Sequence, residues 1–570
     1  RNVGHALVRE FPLEYRGRAG GPSRFTFKTI PLREAIVGTQ RPLLWLLVGG
    51  AAILLMIACA NTAQLLLARS LRRGREVAIR TALGASRFCL IRQFLLEGLV
   101  LAAVGGAAGL LLSAWIISLL KSVLPVRSPL LESAHLDLTV VVFTLAISLI
   151  STLAFASLPA VKGSKWTPGP SLSARPATGE GNRWRYAMIA LQAALSVFLL
   201  CSAGLVCQNF LALISAPLGF DPTHLLTMQL KLPSGAQNAV DQKAGLAFQQ
   251  YVDKITAIPG VDSAATVTGP PLRPSRGGPV ELAGQTDSTG DLRSVVAMTH
   301  QVSPDYFRTL RIPLLAGRNF NRGDAGTQVT VAIVNEEFAR RFGLGSSVVG
   351  KQMFEPGQPI TIVGMVGNVR THGIEPAPFP EVYLSSLQMS WVNVYLIVRS
   401  AIPPAELAKL VTQAIQSSNS GQAIYGVLTM HDLIADSVTQ PKFHVILIGA
   451  FALLAVAMSA AGLYSVISCL VAQRTSEIAI RIALGATHSD VFKTVLGSSA
   501  IWVTAGLVSG LALGLATAST VRALSGTVVE PSPWMYFSVV LFFLSIALIA
   551  AASPMQRAAR LDPGTALRWE

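Results

Sequence analysis

The chain has 570 residues, of which 51% are hydrophobic and only 13% charged, about half the charged fraction of an ordinary soluble domain. This excludes a purely soluble protein and points to several membrane spans with a water-facing part. The formal charge of +16 raises the possibility of nucleic-acid binding, but segments 69–96, 157–186, 473–495 and 556–570 carry +6, +4, +1 and +1 of it. Lys and Arg gathered in short loops between apolar runs fix membrane orientation instead.

In chain order, residues 1–42 are polar and read as the tail of a first outer domain. Uncharged runs at 43–68, 98–120 and 138–161 form a first membrane bundle over 43–161. A basic, Pro/Gly-rich stretch, KGSKWTPGPSLSARPATGEGNRWR (162–185), reads as a cytoplasmic linker. A further span follows at 186–214. Residues 215–441 have soluble composition: extended LLTMQLKL, VTVAIV, ITIVGMVG and VNVYLIV alternate with helical 240–257 and 404–418, which predicts an α/β domain. Runs at 443–473, 494–521 and 532–556 make a second bundle within 442–570, so about seven spans place 215–441 outside and the C-terminus inside.

One decapeptide occurs twice: EVAIRTALGA at Glu76–Ala85 and EIAIRIALGA at Glu477–Ala486, 401 residues apart. Each copy lies between two spans, the signature of an internal repeat. Read as a helix, Glu76 stands four residues before Arg80, and Glu477 four before Arg481, the favourable order for an ion pair on one face. Leu83 and Leu484 belong to the apolar side. Gly84 and Gly485 sit where the helix stops, and Ser86 and Thr487 can cap the next one. These residues form a candidate coupling site, a short surface helix rigidly joined to a span. The repeat also covers the flanking spans and the ends KWTPGPSL (165–172) and RLDPGTAL (560–567). A complete repeat would place a mate of span 186–214 and a first outer domain before residue 1.

Gly105 and Gly109 in one bundle, and Gly506, Gly510 and Gly514 in the other, recur at steps of four and are candidate helix-packing positions. No span carries a central charge, which argues against an ion-coupled transporter. Five cysteines show no CxxC spacing, and eight histidines show no zinc-type spacing. GSSVVGK (345–351) imitates a phosphate loop, but Gln352 stands where the magnesium-binding hydroxyl belongs. No catalytic residue, metal ligand or cofactor site is expected.

Taken together, the duplicated decapeptide, VSPDYFRTLRIPLLAGRNF (302–320), VAIVNEEFARRF (331–342), VGMVGNVRTHGI (363–374), VAQRTSEIAIRIALGAT (471–487) and RLDPGTALRWE at the end resemble the MacB/FtsX-type permeases of ABC transporters in their duplicated, acidobacterial-type form. The resemblance implies a polytopic α-helical membrane protein with two FtsX-like three-helix bundles, one extra span and a large α/β (α+β) MacB-like periplasmic core domain carrying a second lobe near 275–390. It further implies a non-catalytic permease of the bacterial inner membrane. That permease would couple ATP hydrolysis by a separate cytoplasmic ABC ATPase to periplasmic movement, for export or efflux, with docking around Glu76–Leu83 and Glu477–Leu484. Membrane lipid and a periplasmic or outer-membrane protein are the other expected partners, and nucleic acid is not. The alternative is an FtsX-like scaffold that regulates a periplasmic enzyme or signalling partner.

Topology is open to a direct check. Cys89 should stay unlabelled by a membrane-impermeant maleimide in intact spheroplasts and react once they are permeabilised; labelling in intact spheroplasts would invert the orientation.

Overall fold

The structure is a computed structural model that describes residues 41–72, 87–123, 136–164, 180–231, 242–473 apart from short loop stretches, 488–525 and 530–559. The expected first-domain tail at 1–42, all but Arg41 and Pro42, and both decapeptides lie outside the described residues. The chain divides into two compact units, one holding Phe210–Lys442 and the other Pro31–Asn209 with Phe443–Glu570.

Among the described residues there are seven long helices: α1 (Arg41–Arg72), α2 (Arg87–Val123), α3 (Leu138–Ser164), α4 (Glu180–Ser215), α9 (Met430–Gln473), α10 (His488–Ser525) and α11 (Pro533–Ala559). Six of them carry an apolar stretch long enough to cross a bilayer, and in α3 the stretch identified is Leu138–Leu153. α3 is nonetheless a 27-residue helix, about 40 Å at 1.5 Å per residue. Helices are the natural choice here, since lipid offers backbone N–H and C=O groups no partners.

The outer unit contains one eleven-stranded sheet. Its strands are β1 (Leu225–Lys231), β2 (Val261–Val267), β3 (Arg276–Thr286), β4 (Leu292–Val302), β5 (Leu314–Gly317), β6 (Thr330–Asn335), β7 (Gln352–Glu355), β8 (Gln358–Val366), β9 (Glu381–Ser385), β10 (Asn393–Ser400) and β11 (Ala423–Thr429). The main path runs β11-β1-β10-β2-β4-β3-β7-β8-β6-β9. Between β2 and β4 it narrows to the single residue pair Val267–Val302, so strands 276–385 form a lobe of their own beside β11-β1-β10-β2.

Helical periodicity decides what covers the sheet. On α5 (Gln242–Thr256) Ala244, Phe248, Tyr251, Val252 and Ile255 fall on one face and are buried; on α8 (Pro404–Gln416) Leu407, Val411 and Ile415 do the same. Together they close a core over β1, β2 and β10. Each large side chain buried this way contributes about 1.5–3 kcal/mol. In the other lobe α7 (Glu336–Arg341) buries Phe338 and Ala339. Its cap Asn335 accepts hydrogen bonds from Phe338 N and Glu381 N and donates to Phe379 O, which fixes β6 and β9 together.

Glu381 is the one fully buried carboxylate of this lobe among the described residues. Hydroxyls of Thr371 and Tyr383 donate to it, and the His300 ring stacks on Tyr383 at 5.4 Å. Burial pushes the Glu381 carboxyl up to about 7, against the two hydroxyls, which favour the ionised form. A raised carboxyl contributes stability that is fully present below the unfolded value of 4.5 and is lost as pH rises through about 7. The loss is on the order of 3 kcal/mol. Thermal melting of the outer unit should therefore fall between pH 5 and pH 8, and Glu381→Gln should flatten that dependence; an unchanged profile in the variant would refute the assignment.

Candidate functional site

The coupling residues Glu76, Arg80, Leu83, Gly84, Glu477, Arg481, Leu484 and Gly485 lie outside the described residues. The helices that hold them are described. α1 ends at Arg72 and α2 begins at Arg87, while α9 ends at Gln473 and α10 begins at His488. Each decapeptide thus hangs between two long helices at the same 401-residue offset.

α1 and α9 lie side by side and meet through residues that are each other's repeat mates. A Cβ on Gly50 would stand 2.6 Å from Cδ2 of Phe451, and a Cβ on Gly462 would collide with the Asn61 side chain. Residues 50 and 451, and 61 and 462, both differ by 401. Mates touching mates is the mark of a two-fold axis. The two pairs are 11 residues apart on each helix, about 16 Å, so the helices run parallel and the axis runs along them.

Asn61 joins α1 to α9 directly, and Gln192 and Ser196 of α4 tie that helix to the pair. Gln192 Nε2 donates to Asn61 Oδ1 at 3.0 Å, and Asn61 Nδ2 donates to Met458 O at 2.7 Å. Ser196 Oγ donates to Ala455 O at 3.0 Å. Ile57 is fully buried against Leu199, Ala452 and Ala455. Such bonds between membrane helices contribute about 0.6–2 kcal/mol each, and here they fix register in a surface that is otherwise apolar.

The helix-packing glycines divide. Gly506, Gly510 and Gly514 of α10 face α4: added Cβ atoms would come within 2.8 Å of Ala193 Cβ, 2.5 Å of Ala194 O and 2.8 Å of Cys201 Cβ. Gly105 and Gly109 of α2 meet nothing within 4 Å among the described residues. On α2 a Cβ added to Gly106 would stand 3.6 Å from Ser148 Oγ of α3. One residue along a helix turns the side chain by about 100°, enough to move a neighbouring glycine off the shared face.

The outer unit holds a second constellation, which sequence reasoning missed. The segment that leaves α4 toward β1 is riveted by three arginines. Arg370 donates to Pro217 O and Leu218 O. Arg399 donates to Thr309 O, Thr223 O and Asp221 O, each at 2.7 Å, and lies 3.3 Å from Asp221 Oδ2. Arg311 reaches the same carboxylate at 2.7 Å. The hydrogen bond from the Thr223 hydroxyl holds the Asp221 carboxyl below its usual range, with Arg399 and Arg311 adding to it. On the other side, Thr429 and Asp432 cap α9 reciprocally, and Met430 and Leu433 enter the same core as Phe220 and Leu225. A charged residue closing the apolar run NVYLIVRS was the available signal for Arg399.

Among the described residues no group of three His, Cys, Asp or Glu side chains could hold a metal ion. The loop that imitates a phosphate cradle uses its own amides: Ser347 N, Val349 N, Gly350 N and Lys351 N donate to Leu344, Ser346, Ile362 and Val348 carbonyls. Asp221 and Arg399 give a mutational check instead. Arg399→Met leaves buried carbonyls unpaired and should cost about 3 kcal/mol, whereas Arg311→Met, at the exposed rim, should cost under about 1 kcal/mol. Pulse proteolysis in urea separates the two; equal costs would show that Arg399 is not the rivet.

Comparison with known proteins matches these parts. Residues 48–165 and 449–563 match the FtsX-like permease C-terminal domain, and residues 187–414 match the MacB-like periplasmic core domain. The ABC transporter permease YknZ of Bacillus subtilis is 26% identical over 281 residues, 48% of this chain and 70% of that protein. The macrolide export ATP-binding/permease protein MacB of Pasteurella multocida is 25% identical over 286 residues, 49% of this chain and 44% of that protein; the chain thus spans less than half the length of that relative. The crystal structure of the periplasmic region of MacB from Actinobacillus actinomycetemcomitans aligns at 13% identity with a TM-score of 0.28, over 39% of this chain and 95% of that one. With two FtsX-like regions flanking one MacB-like core, the chain belongs to the MacB/FtsX-type ABC transporter permeases, in duplicated form.

Proposed function

We propose that the chain is the permease part of an export system in which a separate cytoplasmic ATPase drives movement of the outer domain. The observation that carries this reading is the meeting of α1 and α9 at repeat mates. Two parallel helices related by a two-fold axis carry one decapeptide each at the same end, so one chain offers a two-fold pair of docking helices to a two-fold pair of ATPase subunits. The Glu–Arg face supplies polar contacts, and the Leu-Gly stop supplies a short stiff joint to α2 and α10.

Rigid entry into the outer unit supports the other half of the reading. Arg370, Arg399 and Arg311 bind the α4 exit to the sheet, and Met430 and Leu433 bind the start of α9 to the same core. A displacement arriving along either helix would be passed to the strands rather than absorbed in a loose linker. Export of a cargo is proposed by kinship with proteins whose names give macrolide export to MacB; the cargo of this chain is a separate question.

The test is charge reversal at each docking helix. Arg80→Glu and Arg481→Glu should each abolish stimulation of the cognate ATPase in a reconstituted complex while leaving insertion intact, since like-charge contacts at an interface cost several kcal/mol. Undiminished stimulation in both variants would remove the docking assignment. Stimulation that depends on a periplasmic protein and extrudes no compound would favour the scaffold.

A further inference from the structure

Two hydrophobic cores of the outer unit do not close on each other everywhere. Leu225 belongs to one, with Met430 and Leu433, while Leu226 and Leu407 belong to the other. Between them lies a cavity of about 430 Å³, within the size of small-molecule sites, about 300–1,000 Å³. The buried Leu225, Leu226 and Leu407 form its floor. Ile402, just before α8, and Ile434 of α9 form its sides. Thr223, His224, Pro404 and His431 are exposed and mark its mouth. The lining hydroxyls are already engaged. Ser400 Oγ donates to Gly260 O and accepts from Ile402 N. Thr429 Oγ1 donates to Asp432 Oδ2 and accepts from Asp432 N. Thr223 Oγ1 donates to Asp221 Oδ1. Of the polar lining side chains this leaves the imidazoles of His224 and His431, which make no hydrogen bond to the described residues.

We propose that this cavity binds a small neutral amphiphile, with one alkyl or acyl chain against the leucine floor and an uncharged oxygen head, such as an alcohol or ester, accepting an imidazole N–H at the mouth. Apolar walls with a few polar groups at one end select a chain with a single polar tip. The charge at the mouth selects the head. Asp432 adjoins His431 and has no ion pair among the described residues. The Thr429 hydroxyl and amide hold its carboxyl below the usual range, so a carboxylate head would meet a like charge. An ammonium head offers an imidazole N–H no acceptor. The source follows from α9 itself. Ile434 precedes Phe443, where a run without Asp, Glu, Lys or Arg begins, by about 14 Å of helix. The headgroup layer is only about 5–8 Å deep, so a chain anchored in a bilayer phospholipid falls short and the ligand is a molecule free in water. Bound there, it bridges the core under α8 and the core that receives the start of α9. The inference rests on the outer unit alone and stands apart from ATPase docking.

The probe is decanol carrying a photoreactive diazirine on its chain, added to the full chain in nanodiscs and mapped by peptide mass spectrometry. Saturable labelling is expected within 222–226, 400–407 or 429–434. Unlabelled decanol should compete about tenfold better than decanoate. Ile434→Trp and Ile402→Trp each place a ring in the cavity and should lower this labelling at least about tenfold, with labelling elsewhere unchanged. His224 has a left-handed backbone, φ 58°, which asparagine tolerates. His224→Asn combined with His431→Ala should therefore erase the advantage of decanol over decane as competitor without disturbing the fold. Three outcomes each overturn the proposal: saturable labelling absent from these segments, decanoate competing as well as decanol, or labelling unmoved by a filling variant. A filling variant that fails to fold, judged by its thermal unfolding, is set aside, and the map and the decanol-to-decanoate ratio of the unaltered chain decide alone.

Discussion

The membrane unit depends on how α1 and α9 meet. Gly50 leaves room for the Phe451 ring, Gly462 leaves room for Asn61, and the Gln192–Asn61–Met458 hydrogen bonds hold the register. Between apolar helices in lipid no hydrophobic force selects one register over another. Close approach and a few polar bonds must select it. Because the touching residues are repeat mates, the same contact also relates α1 to α9 by a two-fold axis. A larger residue at Gly462 would collide with Asn61 and Gln192 at once, so the seam and the symmetry stand or fall together.

From that seam the construction runs outward in both directions. Toward one end, α1 and α9 stop at Arg72 and Gln473, just before the two decapeptides in sequence. Toward the other, the outer unit receives its two chain connections at one core, with buried Arg399 spanning three carbonyls and Asp221. A buried guanidinium is costly unless every donor is matched, and its matched state makes the joint resistant to hinge motion.

Much of the outer domain was legible in advance, and the reasons differ by element. β6, β8 and β10 announce themselves as β-branched apolar runs, β1 as a Leu/Met-rich one, and α5 and α8 by their apolar faces with breakers nearby. β9, all five residues of which are buried, carries no alternation, since it lies between β4 and β6 with both faces covered. β2 and β4 touch through one residue pair, a join no local pattern encodes. Arg399 looks like the polar end of a strand until residues 221, 223 and 309 are seen around it.

By itself the sequence determined the long apolar runs, the duplicated decapeptide and the family, because hydropathy, repeats and turn residues act over short distances along the chain. The tertiary structure decided which faces meet. Gly105-x-x-x-Gly109 and Gly506-x-x-x-Gly510 are the same signal in sequence, yet one is exposed and the other lies under α4. A spacing shows that a close approach is possible; only the presence of a second helix at that place makes it one.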